Sequence, residues 1–91
     1  MAHFILTYGY TDTDLRAAKR DDHLEHLAKL KAAGSLVLAG PLADLSGGII
    51  VLAADDLAAA QALVEQDPYT VHNVTKDREL REWKITVGLP D

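Results

Sequence analysis

The alternation of apolar strand-like segments with helix-forming stretches predicts an α+β domain in which one antiparallel sheet is backed by two helices. Three observations carry that expectation. Short runs rich in β-branched and aromatic residues bracket two longer runs of helix formers. Glycine and proline sit mainly at the boundaries between them. The 91 residues, 48% hydrophobic and 25% charged, suffice for one core, so a single domain over residues 1–91 is expected.

His3 to Tyr10 reads as the first strand. Thr11-Asp12-Thr13-Asp14 then supplies hydroxyls and carboxylates able to satisfy the free N–H groups of a helix start. From about Asp14 to Ala33 there is no Gly or Pro, and Gly34 stands where a left-handed C-terminal cap belongs. Leu36 to Ala39 makes a second strand, ended by Gly40-Pro41. After a turn containing Ser46-Gly47-Gly48, the stretch from Gly48 to Ala53 makes a third. Asp55 and Asp56 can cap a second helix, about Asp56 to Gln66, with Leu57, Ala60, Leu63 and Val64 at core spacing. Pro68 stops it and holds Asp67 extended. The tail from Leu80 to Val87 alternates, Trp83, Ile85 and Val87 against Glu82, Lys84 and Thr86, and reads as the last strand. The resulting βαββαβ order is the ferredoxin-like, split-βαβ arrangement. Both helices then cover one sheet face. The other lacks a cover within the chain, so a homodimer packed sheet to sheet is expected.

Composition removes several classes of function. The net charge is −5 and the nine Lys and Arg residues form no block, which argues against nucleic acid and against anionic membrane surfaces. With no cysteine there is no disulfide, thiolate nucleophile or Cys-based zinc site. No N-terminal segment reads as a signal peptide and no apolar run approaches the roughly 20 residues that span a bilayer, so a soluble, cytoplasmic protein is expected. Ser35 and Ser46 lack a nucleophile-elbow context, and Gly47-Gly48 reads as a hairpin turn, not a phosphate loop.

The long helix holds the first candidates. At 100° per residue Leu24, Leu27 and Leu30 define an apolar stripe, and its extension toward the N-terminus reads His23, Arg20 and Arg16, with His26 at the edge. Polar groups on a sheet-facing side are costly unless they line a cavity or find partners. His23 suits general acid–base work, since an ordinary histidine titrates near neutral pH. It could equally be a rim residue bonded to a carbonyl, with the arginines snorkelling to water. Asp67, held extended before Pro68, could accept from a histidine Nδ1–H and fix its tautomer, or could simply cap local amides. Gly40-Pro41 could be a turn or a close backbone approach to a ligand. Tyr69 and Trp83 read as packing residues. A metal held by His23 and His26 at i, i+3, with Asp67 or His72, is weighed and set aside for want of a tight ligand motif, so none is expected.

Arg20-Asp21-Asp22-His23-Leu24, then Leu30, Gly34, Ala39-Gly40-Pro41, a helix rich in small residues and Asp67-Pro68-Tyr69 together resemble the YciI-like family over nearly the whole chain. The resemblance implies a dimeric α/β barrel with a cleft between sheet and helices. It also implies a catalytic pair of His23 and Asp67, surrounded by Arg20, Gly40, Pro41 and Tyr69. Two departures stand out. The loop from Leu42 to Gly48 is short, which opens the cleft, and Thr70-Val71-His72-Asn73-Val74 replaces a usual Ala-Gly pair, so His72 is expected to add a polar group near the site.

Family members with an assigned activity act on chlorinated aromatics, as dehydrochlorinases of a chlorinated hydroxyhydroquinone. The resemblance therefore implies a cofactor-independent lyase in which His23 takes a phenolic proton, Asp67 orients it, and Arg20 or His26 steadies the phenolate. A lactone isomerase of the muconolactone type and a non-catalytic small-ligand module are the alternatives. The expected partners are a small-molecule substrate and a second copy of the chain.

Overall fold

The computed structural model describes residues 1–89. Its elements run β1 (Ala2–Tyr10), α1 (Thr13–Ala32), β2 (Leu36–Pro41), β3 (Gly47–Ala54), α2 (Leu57–Gln66), α3 (Pro68–Val71) and β4 (Thr75–Glu82). The strands form one sheet in the order β2-β3-β1-β4, with every neighbouring pair antiparallel. This is the α+β, ferredoxin-like arrangement: α1 joins β2 to β1 across β3, and the α2–α3 connection joins β4 to β3 across β1.

Local chemistry sets the helix ends. Asp12 caps α1, its carboxylate accepting from the N–H groups of Asp14 at 2.7 Å and Leu15 at 3.3 Å. At the other end Gly34 takes φ +80°, which lets its N–H reach Lys31 O and the Ser35 N–H reach Leu30 O at 2.8 Å. Those two bonds are the Schellman pair that satisfies the last carbonyls of a helix. Asp56 caps α2 through the Ala59 N–H at 2.8 Å.

Alternation along β1 and β3 sends one set of side chains to the helices. Phe4 and Leu6 pair with Leu52 and Ile50, and with Tyr8 they meet Leu27, Leu30, Ala60 and Val64 in one buried cluster. The buried face of α1 is His23, Leu27 and Leu30, at i, i+4 and i+7. Leu24, expected on the apolar stripe, is 42% exposed. The stripe is turned by one position, which brings an imidazole into the interior in place of a leucine. Ile5, Val51 and Leu38 lie in register on the opposite sheet face.

Two expectations about β structure are corrected. The final strand is Thr75–Glu82 and not Leu80–Val87. Trp83 still donates its N–H to His3 O at 2.9 Å, but Trp83 and Val87 are exposed beyond the strand. As an edge strand, β4 is built from charged residues, which hides the alternation that a half-buried strand shows. It also carries a bulge opposite Tyr8, where Asp77 takes φ 52° and Arg78 Nη1 bonds Thr75 O at 2.7 Å. The second correction is that β3 already begins at Gly47, one residue before the expected start at Gly48, and the turn before it spans Leu42 to Ser46. In that turn Leu45 has φ 60°, and Asp44 accepts from the Ser46 N–H and hydroxyl, which holds its carboxyl below the usual range.

Gly48 has a steric reason to be glycine. It lies opposite Tyr8 in the ladder, and a Cβ there would come 2.5 Å from the Tyr8 hydroxyl and 2.7 Å from Cζ. A Cβ at Gly47 would collide with the Tyr8 carbonyl oxygen. Gly48→Ala is therefore expected to push the Tyr8 ring from its place and to cost about 1–3 kcal/mol in urea-induced unfolding. A midpoint unchanged from wild type would mean that the ring has room to spare.

Candidate functional site

A cleft of about 470 Å³, open mouth included, lies between the N-terminal half of α1 and one end of the sheet. Tyr8 and Tyr10 reach it from the last turns of the β1 pleat, Arg16, Arg20, His23 and Leu24 from α1, Ala39, Gly40 and Pro41 from the end of β2, and Tyr69 from α3. Much of that volume is open to solvent, so the enclosed part suits only a small ligand, of no more than about one ring.

At its inner end the imidazole of His23 meets the carboxylate of Asp67, both buried. Nδ1 lies 2.8 Å from Oδ1 and 2.9 Å from Oδ2. A carboxylate only accepts, so the short contact places the proton on Nδ1 and leaves Nε2 with a lone pair for a molecule in the cleft. Asp67 is fixed by the local sequence. Pro68 keeps it extended at φ −66°, ψ 128°, and its Oδ1 also accepts from the Tyr69 N–H at 2.9 Å, making it the N-cap of α3. The capping role and the histidine-binding role, alternatives from sequence, are filled by one carboxylate. The sequence reading contains no α3 turn, because Pro68 after a run of helix formers reads as a stop. Proline is equally at home as the first residue of a helix, where its missing N–H is not needed.

α3 also clasps the histidine from the side. The Tyr69 ring stacks on His23 with centroids 3.8 Å apart and planes 3° from parallel, and its hydroxyl donates to Arg16 O at 3.3 Å. Tyr10 meets Tyr69 and Tyr8 edge to face at 6.2 Å and 5.6 Å. Burial raises the pKa of Tyr8 and, against the pull of Arg16, that of Tyr69, so both present neutral hydroxyls. The Arg16 guanidinium lies 5.0 Å over the Tyr10 ring. α3 ends with Asn73 at φ 55°, in the left-handed position that glycine commonly fills, with the Val74 N–H returning to Tyr69 O. Thr11 ties this turn to the start of α1 by donating to Asn73 O at 2.7 Å.

Of the residues singled out in the sequence, His23, Asp67, Arg20, Gly40, Pro41 and Tyr69 come together here. A Cβ at Gly40 would meet nothing within 4 Å, so that glycine leaves open space in front of the strand. Two expected binding residues fall elsewhere. His26 does not line the cleft; three residues on from His23 it has turned toward α2, where it shares a small void with Leu63, Val64 and Asp67. His72 is the exposed C-cap of α3 and does not line the cleft either. Among the described residues no group of three or more His, Asp or Glu side chains gathers as a metal site, and no helix is long and apolar enough to cross a membrane. Tyr8, Tyr10 and Arg16 are lining residues that were not assigned to the site. The first two share the inward parity of Phe4 and Leu6, and Arg16 stands on the row of Arg20 and His23, so each had a legible signal.

The model of the YCII-related domain family matches residues 1–84. YjpA of Bacillus subtilis (strain 168), described as uncharacterized, is 35% identical over 63 residues, 69% of this chain and 73% of its own. Among solved structures, the 5-chloro-2-hydroxyhydroquinone dehydrochlorinase TftG of Burkholderia phenoliruptrix AC1100, in complex with 2,5-dihydroxybenzoquinone, superposes with TM-score 0.75. It is 22% identical, with 89% of this chain and 93% of that one covered. An uncharacterized NIPSNAP domain protein of Burkholderia xenovorans follows at TM-score 0.59 and 17% identity over the full length of both. At these identities the two structures speak to the fold alone.

Asp67 joins α1 to α3 through buried bonds, so its removal has a structural cost separate from any chemistry. Asp67→Ala is expected to lose about 3 kcal/mol in urea unfolding, as a buried partner is left alone and a cap disappears. Asp67→Asn, still able to accept from the Tyr69 N–H, should lose about 1–2 kcal/mol. Equal losses for the two would deny the cap a share.

Proposed function

Since the chain belongs to the YCII-related domain family, we propose that its cleft is the active site of a cofactor-independent enzyme that moves protons on a small ring compound, with chlorinated hydroxyhydroquinones as first-choice substrates. One observation carries the reading: a buried imidazole is held at Nδ1 by Asp67 while its Nε2 is left for the cleft. The likeness in fold to a dehydrochlorinase supports the choice of reaction.

In the proposed sequence Nε2 of His23 removes a proton from a ring hydroxyl. The electron pair moves into the ring, and the imidazolium returns the proton to the carbon that bears chlorine. A second hydroxyl proton then passes to Nε2 as the C–Cl bond breaks and chloride leaves. The substrate has lost HCl and is a hydroxyquinone. Asp67 keeps the required tautomer and balances the imidazolium, as an orienting carboxylate does in a Ser-His-Asp triad. Arg20 steadies the phenolate, the Tyr69 ring holds the imidazole plane, and the open backbone at Gly40-Pro41 gives the substrate ring its seat. On the sequence alone we place the activity in the cytoplasm.

Chloride release from 5-chloro-2-hydroxyhydroquinone is expected to fall by about 10²–10⁴-fold in His23→Ala relative to wild type. Equal rates would remove His23 from the mechanism. Wild-type protein that binds the quinol in a thermal-shift assay and forms no product would instead be a ligand-binding module.

We further propose that two copies pair through the sheet face that carries Leu38, beside Ile5 and over the already buried Val51. Leu38 is 59% exposed there, an apolar side chain in register with Val51. Light scattering should give the mass of two chains for wild type and of one for Leu38→Lys. A wild type that scatters as one chain at high concentration overturns the pairing.

A further inference from the structure

The charges around the cleft are distributed against the composition of the chain. Acidic residues outnumber Lys and Arg by 14 to 9, yet no Asp or Glu is among the residues lining the cleft, while Arg16 and Arg20 both are. The two arginines are one helical turn apart and a further turn from His23, so guanidinium, guanidinium and imidazole form one row. Among the described residues the ion pairs are His23 with Asp67, Lys29 with Glu25 and Arg81 with Glu79, and none involves either arginine. Arg16 is held most firmly. Its guanidinium packs over the Tyr10 ring, its backbone carbonyl accepts from Tyr69, and its Nε is buried without a hydrogen-bond partner. The Tyr10 hydroxyl bears on the same guanidinium, but its Nε–H has no partner within the protein, so a ligand can supply one, and a guanidinium best fits a carboxylate or another delocalised oxyanion.

We propose that the cleft takes its substrate as an anion: a small cyclic organic acid whose oxyanion sits on Arg16 with Arg20 at the mouth, leaving the rest of the ring under Nε2 of His23. This rests on the cleft being the active site; it adds a specificity residue, Arg16, and a substrate class, a ring compound already charged on binding, in preference to the neutral chlorinated quinol named above as first choice. It differs from steadying charge that develops during the reaction, because the anion is already present when the ligand binds. The arginines thereby act on affinity, and His23 on turnover.

Isothermal titration with matched probes tests it. The probes are 2,5-dihydroxybenzoate and its neutral isostere 2,5-dihydroxybenzamide, with 2,5-dihydroxybenzoquinone as an acid whose charge lies on ring oxygens. Wild type should bind one or both acids about 10–100-fold more tightly than the amide, the range expected of charge-assisted hydrogen bonds. The carboxylate arm against the quinone arm tells which kind of oxyanion fits. Arg16→Gln should bring the acids down to the amide's affinity. Arg16→Lys, which keeps charge and loses the fork, should fall between, and the exposed Arg20→Gln variant, which leaves the core untouched, should lose part of the preference. Circular dichroism on each variant separates loss of fold from loss of binding. Binding of the acids that is no tighter than the amide, a preference that survives both Arg→Gln changes, or no binding of either acid at millimolar concentration would each overturn the proposal. His23→Ala separates the two readings: it should retain the preference for acids. Acid-selective binding without turnover in wild type leaves this inference standing and removes the enzyme. His23-dependent turnover without acid preference does the reverse.

Discussion

The contact on which the rest of this molecule depends is the one between the His23 imidazole and the Asp67 carboxylate. α1 is twenty residues long but buries only His23, Leu27 and Leu30, too little apolar surface to fix its position along the sheet. Its C-terminal half is anchored by the two leucines and its N-terminal half by a polar pair. That pair is buried and therefore demanding. Each partner taken from water must be compensated by the other and by further bonds, and the Tyr69 N–H supplies one such bond to the carboxylate. The same requirement that docks the helix also fixes the imidazole tautomer, so chemistry and architecture share a joint.

Much of the fold could be read from residues. Gly34 as a left-handed cap, Asp12 and Asp56 as N-caps, and the alternation of Phe4, Leu6 and Tyr8 are local signals, and local physics decided those places. The reading failed where tertiary position overrode local pattern. β4 is an edge strand of alternating charges, and the apolar alternation just after it, at Trp83, Ile85 and Val87, looked more strand-like than the strand. Pro68 was read as a stop, when the same stiffness lets it open a new turn.

The cleft was legible to a different degree. A cationic row on the sheet-facing side of a helix is unusual enough to single out His23 and Arg20, and the extended aspartate before a proline pointed to a second group. Spacing alone could not bring positions 23 and 67 together, since they are 44 positions apart in the chain and the sheet order decides what meets. His26 was misplaced because a wheel assigns angles and not neighbours. Its angle faces α2, and only the docked α2 shows that the cleft lies on the other side. His72 was drawn toward the site by sequence proximity to Tyr69, yet it is the exposed C-cap where the chain leaves α3, while Tyr69 is buried against His23.

Tyr8, Tyr10 and Tyr69 are the chain's three tyrosines, and all of them face the cleft, whereas its one tryptophan stands beyond the end of β4. The phenol chromophores of this protein therefore report on a single place. A ligand entering or leaving would register as a tyrosine difference spectrum with no silent residues diluting it, while indole emission would follow the far edge of the sheet. The molecule carries an intrinsic optical probe of its own cleft, divided by residue type from a probe of its scaffold.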